Sequence, residues 1–130
     1  MSKLFTLDEA NSLLPRLREL LFTVRERKTE LEEMQDQLEE YDDKMSGNGH
    51  NINPQYGTVR QGVESAADEL GELIDEIQDL GCELKDLDLG LVDFRALRND
   101  EEVFLCWKLG EDDIAWWHPL NSGFASRQSL

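Results

Sequence analysis

Residues 17–45 read LRELLFTVRERKTELEEMQDQLEEYDDKM, and the spacing of their apolar positions decides the fold. Leu17, Leu20, Val24, Arg27, Leu31, Met34, Leu38, Tyr41 and Met45 follow one another in steps of three and four, with Arg27 the one charged member. A second stretch, residues 59–80, repeats the pattern without exception through Val59, Val63, Ala66, Leu70, Leu73, Ile77 and Leu80. Such steps average 3.5 residues, the period of a narrow apolar seam on a supercoiled helix pair. At about 1.5 Å per residue the two helices span about 45 Å and about 35 Å. Between them lies Ser46-Gly47-Asn48-Gly49-His50-Asn51-Ile52-Asn53-Pro54. Its Gly, Asn and Pro favour turns, so residues 46–54 read as a loop. Two seams joined by a short loop predict an antiparallel helical hairpin.

Charge agrees with that direction. Arg16, Arg18, Arg25, Arg27 and Lys28 lie in the first half of the long helix, and Asp68, Glu69, Glu72, Asp75, Glu76 and Asp79 in the second half of its partner. Antiparallel pairing sets these signs side by side, with Arg27 expected to meet Asp75 or Glu76. Exposed pairs contribute about 0.2–1 kcal/mol each, so they choose orientation more than they set stability. The distal half is different: Glu30, Glu32, Glu33, Glu39, Glu40, Asp42 and Asp43 face a segment offering only Arg60. The hairpin tip is therefore strongly negative, either as a solvated face or as a docking surface for a basic protein partner.

Upstream, Thr6-Leu7-Asp8-Glu9 forms a capping box, and Pro15 follows. The reading is a short helix over residues 7–13, a break, and the long helix from Pro15. Gly81 stands where a left-handed C-terminal cap is expected.

Beyond Gly81 the period shortens to that of strands. Leu84–Leu87 and Leu91–Phe94 flank a turn at Asp88–Gly90, Asn99-Asp100 makes another turn, and Glu102–Leu109 is rich in strand-forming residues. A turn at residues 110–113 leads into Ile114–His118, which Pro119 ends. Closing there pairs Leu109 with Ile114, Trp107 with Trp116, and Leu105 with His118. In that register Leu105, Trp107, Leu109, Ile114, Trp116 and His118 share one face, while Phe104, Cys106 and Trp117 share the other. Both faces are apolar, so the ribbon is expected to be covered by the helices on one side and by the C-terminal tail or a partner chain on the other.

The whole is an α+β chain organised as one domain over residues 1–130. Residues 1–81 form the helical hairpin with its short N-terminal helix, and residues 82–130 a small antiparallel sheet. The chain carries 29 acidic against 13 basic residues, a formal charge of -16. That balance argues against nucleic acid, whose phosphates need a basic patch, and against anionic membranes. No apolar run reaches the roughly 20 residues of a membrane span, and the N-terminus lacks a signal-peptide core. Two cysteines, Cys82 and Cys106, make a poor disulfide framework and suit a reducing, cytoplasmic setting. The acidity also fits a salt-rich cytoplasm.

No catalytic residue, metal site or cofactor is expected from spacing alone. Cys106, between Leu105 and Trp107, reads as a small buried hydrophobe on the face opposite His118. His118 reads as a strand-closing histidine bonded to a carbonyl or carboxylate, with Asp93 or Glu111 as possible cluster partners. Asp93 interrupts an apolar strand and must be paired, with Arg95 and Arg127 as candidate partners. Trp107, Trp116 and Trp117 are core or, alternatively, a stacking platform. The candidate ligand-binding set is thus Asp93, Trp107, Glu111, Trp117, His118 and Arg127.

Several stretches together resemble a family of small bacterial proteins known only as domain-of-unknown-function family 2203. They are Phe5–Asn11, Leu13-Leu14-Pro15, Gly81, Leu84-Lys85-Asp86, Gly90–Phe94, Cys106-Trp107, Gly110-Glu111, Trp117-His118, Gly123-Phe124 and Arg127. The resemblance implies a stand-alone cytoplasmic protein and supplies no activity. The expected function is a non-enzymatic interaction or scaffold protein acting as a homodimer. The alternative is a small-ligand or metal-dependent activity around His118 and Asp93.

Overall fold

A computed structural model describes residues 3–48 and 54–130. Among the described residues the chain is α+β, with three α-helices followed by a five-stranded antiparallel sheet and a single 3-10 turn at Phe124–Ser126 before its last strand. Helix α1 spans Leu7–Ser12, α2 Leu14–Asn48 and α3 Pro54–Asp79. The strands are β1 Glu83–Asp86, β2 Leu91–Arg98, β3 Glu101–Lys108, β4 Trp116–Pro119 and β5 Gln128–Ser129, lying in the sheet in chain order.

The capping box starts α1 as expected. Thr6 Oγ1 accepts from the Glu9 amide at 3.1 Å, and the Thr6 amide donates to Glu9 Oε1 at 2.9 Å. Helix α2 begins one residue before Pro15, where the missing N–H removes no intrahelical bond. It continues through Ser46, Gly47 and Asn48, so the first residues of the expected loop are helical. Residues 49–53 of that loop lie outside the described residues. Gly81 closes α3 at φ +99°, donating to the Gln78 carbonyl at 2.9 Å. A Cβ at Gly81 would come within 3.2 Å of Lys3 and Phe5, so both its angle and its space call for glycine.

Contacts between α2 and α3 pair early residues of one with late residues of the other: Arg16 with Glu76, Arg27 with Glu69, and Tyr41 with Gln55. Arg27 thus meets Glu69 and its own-helix neighbour Glu30, not Asp75 or Glu76. With Tyr41 beside Gln55, the helical register places position 69 opposite 27. Three further basic residues of α2 tie the helix to loops of the sheet. Arg18 donates to the Asp112 carbonyl, Arg25 to the Asp88 carbonyl, and Lys28 pairs with the Asp88 carboxylate.

The core lies between the base of the helices and one face of the sheet. Leu14, Leu17, Leu21, Val24 and Ile77 meet Val92, Phe94, Ala96, Leu105 and Trp107. Phe5 joins edge-on to Phe94, with centroids 5.2 Å apart, while its amide bonds the Arg95 carbonyl at 2.7 Å.

Strands β2 and β3 are joined by the two residues Asn99 and Asp100, at φ 51° and 64°, a tight hairpin turn that right-twisting strands favour. The next connection departs from the expected one. Strand β4 begins at Trp116 and pairs Phe104 with His118, Leu105 with Trp117 and Cys106 with Trp116. This is one residue away from the register inferred above, and a one-residue slip moves every side chain to the opposite face. Trp117 therefore faces the helices with Leu105 and Trp107, while Trp116 and His118 share the outer face with Phe104 and Cys106.

The cause is local. The Trp107 indole N–H is buried and must find an acceptor, which it does at the carbonyls of Glu111 (3.2 Å) and Asp112 (3.0 Å). The Ile114 amide donates to Asn11 Oδ1 of α1 at 2.9 Å. These bonds fold residues 109–115 over the sheet edge in place of a four-residue turn.

Candidate functional site

The outer face of the sheet carries the chemistry. Asp93 on β2 and Cys106 on β3 are direct cross-strand partners. His118 on β4 sits opposite Phe104, one diagonal step from Cys106. The slipped register thereby brings together Cys106 and His118, which the sequence placed on opposite faces. A nitrogen of His118, the Cys106 sulfur and a carboxylate oxygen of Asp93 all lie within 4.8 Å of one another. All three residues are buried, at 2%, 0% and 2% exposure for Asp93, Cys106 and His118.

The hydrogen bonds fix the histidine. Nδ1 lies 2.9 Å from the Pro119 carbonyl oxygen, which can only accept, so Nδ1 carries a proton. Nε2 lies 3.0 Å from Asp93 Oδ2, so one further proton is shared between ring and carboxylate. Asp93 Oδ1 has no hydrogen-bond partner. The neighbouring Cys106 thiol offers it at most a weak S–H donor. Burial raises the Asp93 pKa, against the pull of His118, of the Cys106 thiol and of Lys85. Burial, aided by the Asp93 charge, pushes the Cys106 thiol up to about 12. A thiol raised that far is not an activated nucleophile.

Two cationic side chains stand over Phe104, the aromatic neighbour of His118. Lys85 Nζ and Arg95 Cζ stand 4.8 Å and 5.1 Å from the centroid of the Phe104 ring, which itself packs 5.4 Å from the His118 ring. Arg95 is held by Glu83 and Glu102, at 3.1 Å and 3.4 Å. Burial acts to raise Glu83, but Lys85 and then Arg95 outweigh it and hold its carboxyl below the usual range.

Glu111 and Arg127 make a separate ion pair at 2.6 Å, in which Glu111 also accepts from the Lys108 amide at 2.8 Å. The Arg127 guanidinium stacks over Trp116 and Phe124, at 4.9 Å and 4.7 Å. Neither Arg95 nor Arg127 pairs with Asp93, whose partner is His118. Of the six residues singled out, Asp93 and His118 converge, and Glu111 and Arg127 form the adjoining pair. Trp107 and Trp117 face the opposite, helix-covered side, so no three-tryptophan platform exists. Cys106 was set aside in the sequence reading as a buried hydrophobe on the face opposite His118, although it lies among the residues that carry the family resemblance. The one available signal was its cross-strand position opposite Asp93, and that follows only from the Asn99-Asp100 turn register.

The fold and site define an α+β protein with two long paired helices and a buried Asp–Cys–His cluster on a five-stranded sheet. The chain belongs to the family described as an uncharacterized conserved protein, DUF2203, which matches residues 3–130. Neither a curated protein nor a solved structure matches it. No helix among the described residues is long and apolar enough to cross a membrane.

Proposed function

We propose that this is a non-enzymatic interaction or scaffold protein of the cytoplasm that acts as a homodimer through its long antiparallel helical hairpin. One observation carries the reading: along α2 burial of the seam fades with distance from the sheet. Leu17, Leu20, Val24 and Leu31 are buried, whereas Met34, Leu38 and Tyr41 are only partly covered, and on α3 every seam residue but Ile77 is only partly covered. On the outer side of α2, Phe22 is 62% exposed. Long helices owe most of their stability to packing of an apolar face, and two helices alone cover only part of theirs.

A second hairpin laid tip to base completes the cover. It sets the acidic distal half of one α2 beside the arginine-bearing proximal half of the other, whereas tip-to-tip contact sets like charges together. The free thiols of Cys82 and Cys106 suit a reducing compartment. Sedimentation equilibrium at micromolar concentration tests the proposal. A mass of two chains supports it, and a monomer overturns it. A basic partner that binds at the hairpin tip while the protein stays monomeric assigns the acidic surface to docking instead.

A further inference from the structure

We propose that Asp93, Cys106 and His118 bind one divalent transition-metal ion of the zinc class, whose three protein ligands tie β2, β3 and β4 together. The inference rests on the sheet alone and is independent of how the helical hairpin associates. Three features of the cluster point to it.

The first is the donor set. An imidazole nitrogen, a thiol sulfur and a carboxylate oxygen are the ligand types that zinc, cobalt and ferrous iron take, whereas the sulfur disfavours magnesium and calcium. The second is the histidine. Its Nδ1–H is anchored on the Pro119 carbonyl, which directs the Nε2 lone pair toward Asp93. Metal-binding histidines are oriented by such a bond on the other ring nitrogen. The third is Asp93 Oδ1, a buried carboxylate oxygen that no N–H or O–H donor satisfies, the neighbouring Cys106 thiol being at most a weak one. Leaving such an atom unsatisfied costs about 1–3 kcal/mol, and a cation satisfies it.

The geometry needs little adjustment. Donors around a tetrahedral ion with bonds of about 2.0–2.3 Å are separated by about 3.3–3.8 Å. The three donor atoms already lie within 4.8 Å, and the Nε2–Oδ2 pair opens by a few tenths of an ångström from 3.0 Å. Protons and charge balance. Binding releases two protons, that of the thiol and the one shared by Asp93 and His118. A carboxylate, a thiolate and a neutral imidazole then carry two negative charges against the ion's two positive ones. No fourth protein donor joins the group among the described residues, so water takes the remaining position.

Cobalt(II) chloride added to the chelator-treated full chain is the test. At one equivalent, the expected spectrum has a thiolate-to-cobalt charge-transfer band in the near ultraviolet and the visible bands of a four-coordinate ion. One equivalent of zinc chloride bleaches both. Cys106→Ser abolishes the charge-transfer band, and His118→Gln weakens cobalt binding by at least about tenfold. Cys82→Ser, at a buried cysteine that donates to the Ile77 carbonyl, leaves the spectrum intact. The wild-type titration decides the matter even where a variant fails to fold. No charge-transfer band at one equivalent overturns the proposal. So does a band that survives Cys106→Ser, or cobalt uptake without the band that excess magnesium displaces. The cluster is then a hydrogen-bonded structural pair beside an inert thiol.

Discussion

His118 Nε2 lies 3.0 Å from Asp93 Oδ2, a buried contact between residues 25 apart in sequence. Both side chains are almost wholly withdrawn from water, so each depends on the other. Removing one partner of such a pair costs about 3–5 kcal/mol, because the other is stranded in a low dielectric. His118→Phe is expected to lose stability on that scale in chelator-treated protein. The double variant Asp93→Val/His118→Phe is expected to recover much of the loss. Urea denaturation of the four proteins of this cycle checks it, and additive single effects would show that the two groups are not coupled.

Three glycines separate backbone from packing. Gly90 has φ +65°, and a Cβ there would lie 2.6 Å from Leu109 Cβ. Gly90→Ala is expected to cost at least about 2 kcal/mol, from left-handed strain of about 1–2 kcal/mol with a clash added. Gly110 has φ +105° but open space around it, so Gly110→Ala carries the strain without the clash. Gly71 is helical with nothing within 4 Å, and Gly71→Ala is expected to stabilise by about 0.5–1 kcal/mol. Thermal melting of the three variants should rank them in that order.

The Trp107 indole N–H holds the 109–115 connection through two carbonyls. Trp107→Phe keeps an aromatic ring but removes the donor. Asp112 retains Arg18 as a partner, whereas the Glu111 carbonyl loses the indole. The expected cost is about 1–3 kcal/mol, with faster hydrogen exchange at the Ile114 amide as the connection loosens. Unchanged exchange at Ile114 would mean that Asn11 alone sets the β3–β4 register.

Burial pushes the Cys82 thiol up to about 11 and the Cys106 thiol up to about 12. Raised values leave little thiolate at pH 8, and thiolate is the reactive form. Native protein is therefore expected to resist a thiol-modifying reagent at that pH. Any slow labelling should quicken about tenfold per pH unit below the thiol pKa. Unfolding in denaturant should expose two reactive thiols. Rapid labelling of the native chain at pH 8 would contradict the burial of both residues.

The helices were legible because their signals are local. Thr6 and Glu9 cap α1 within one turn, the three-and-four spacing of Leu17 to Leu31 marks the buried stripe, and Gly81 ends α3 through its own backbone angle. Strands β2 and β3 were legible as strand-forming runs on either side of the Asn99-Asp100 turn, but their cross-strand register was not read from it. The partner of Arg27 was not, because it depends on how far two helices slide past each other. Asp93 was named beside Glu111 as a candidate partner of His118, and the structure selects Asp93.

The amino-acid sequence by itself determined the order of elements, the acidic character of the long helices and the need of Asp93 for a buried partner. Only the tertiary structure decided that His118 and Cys106 meet Asp93. Period-2 alternation says which residues share a face within one strand but leaves the offset between strands open. That offset was set by the Trp107 indole seeking carbonyls four and five residues on, and by the Ile114 amide reaching Asn11, 103 residues earlier in the chain.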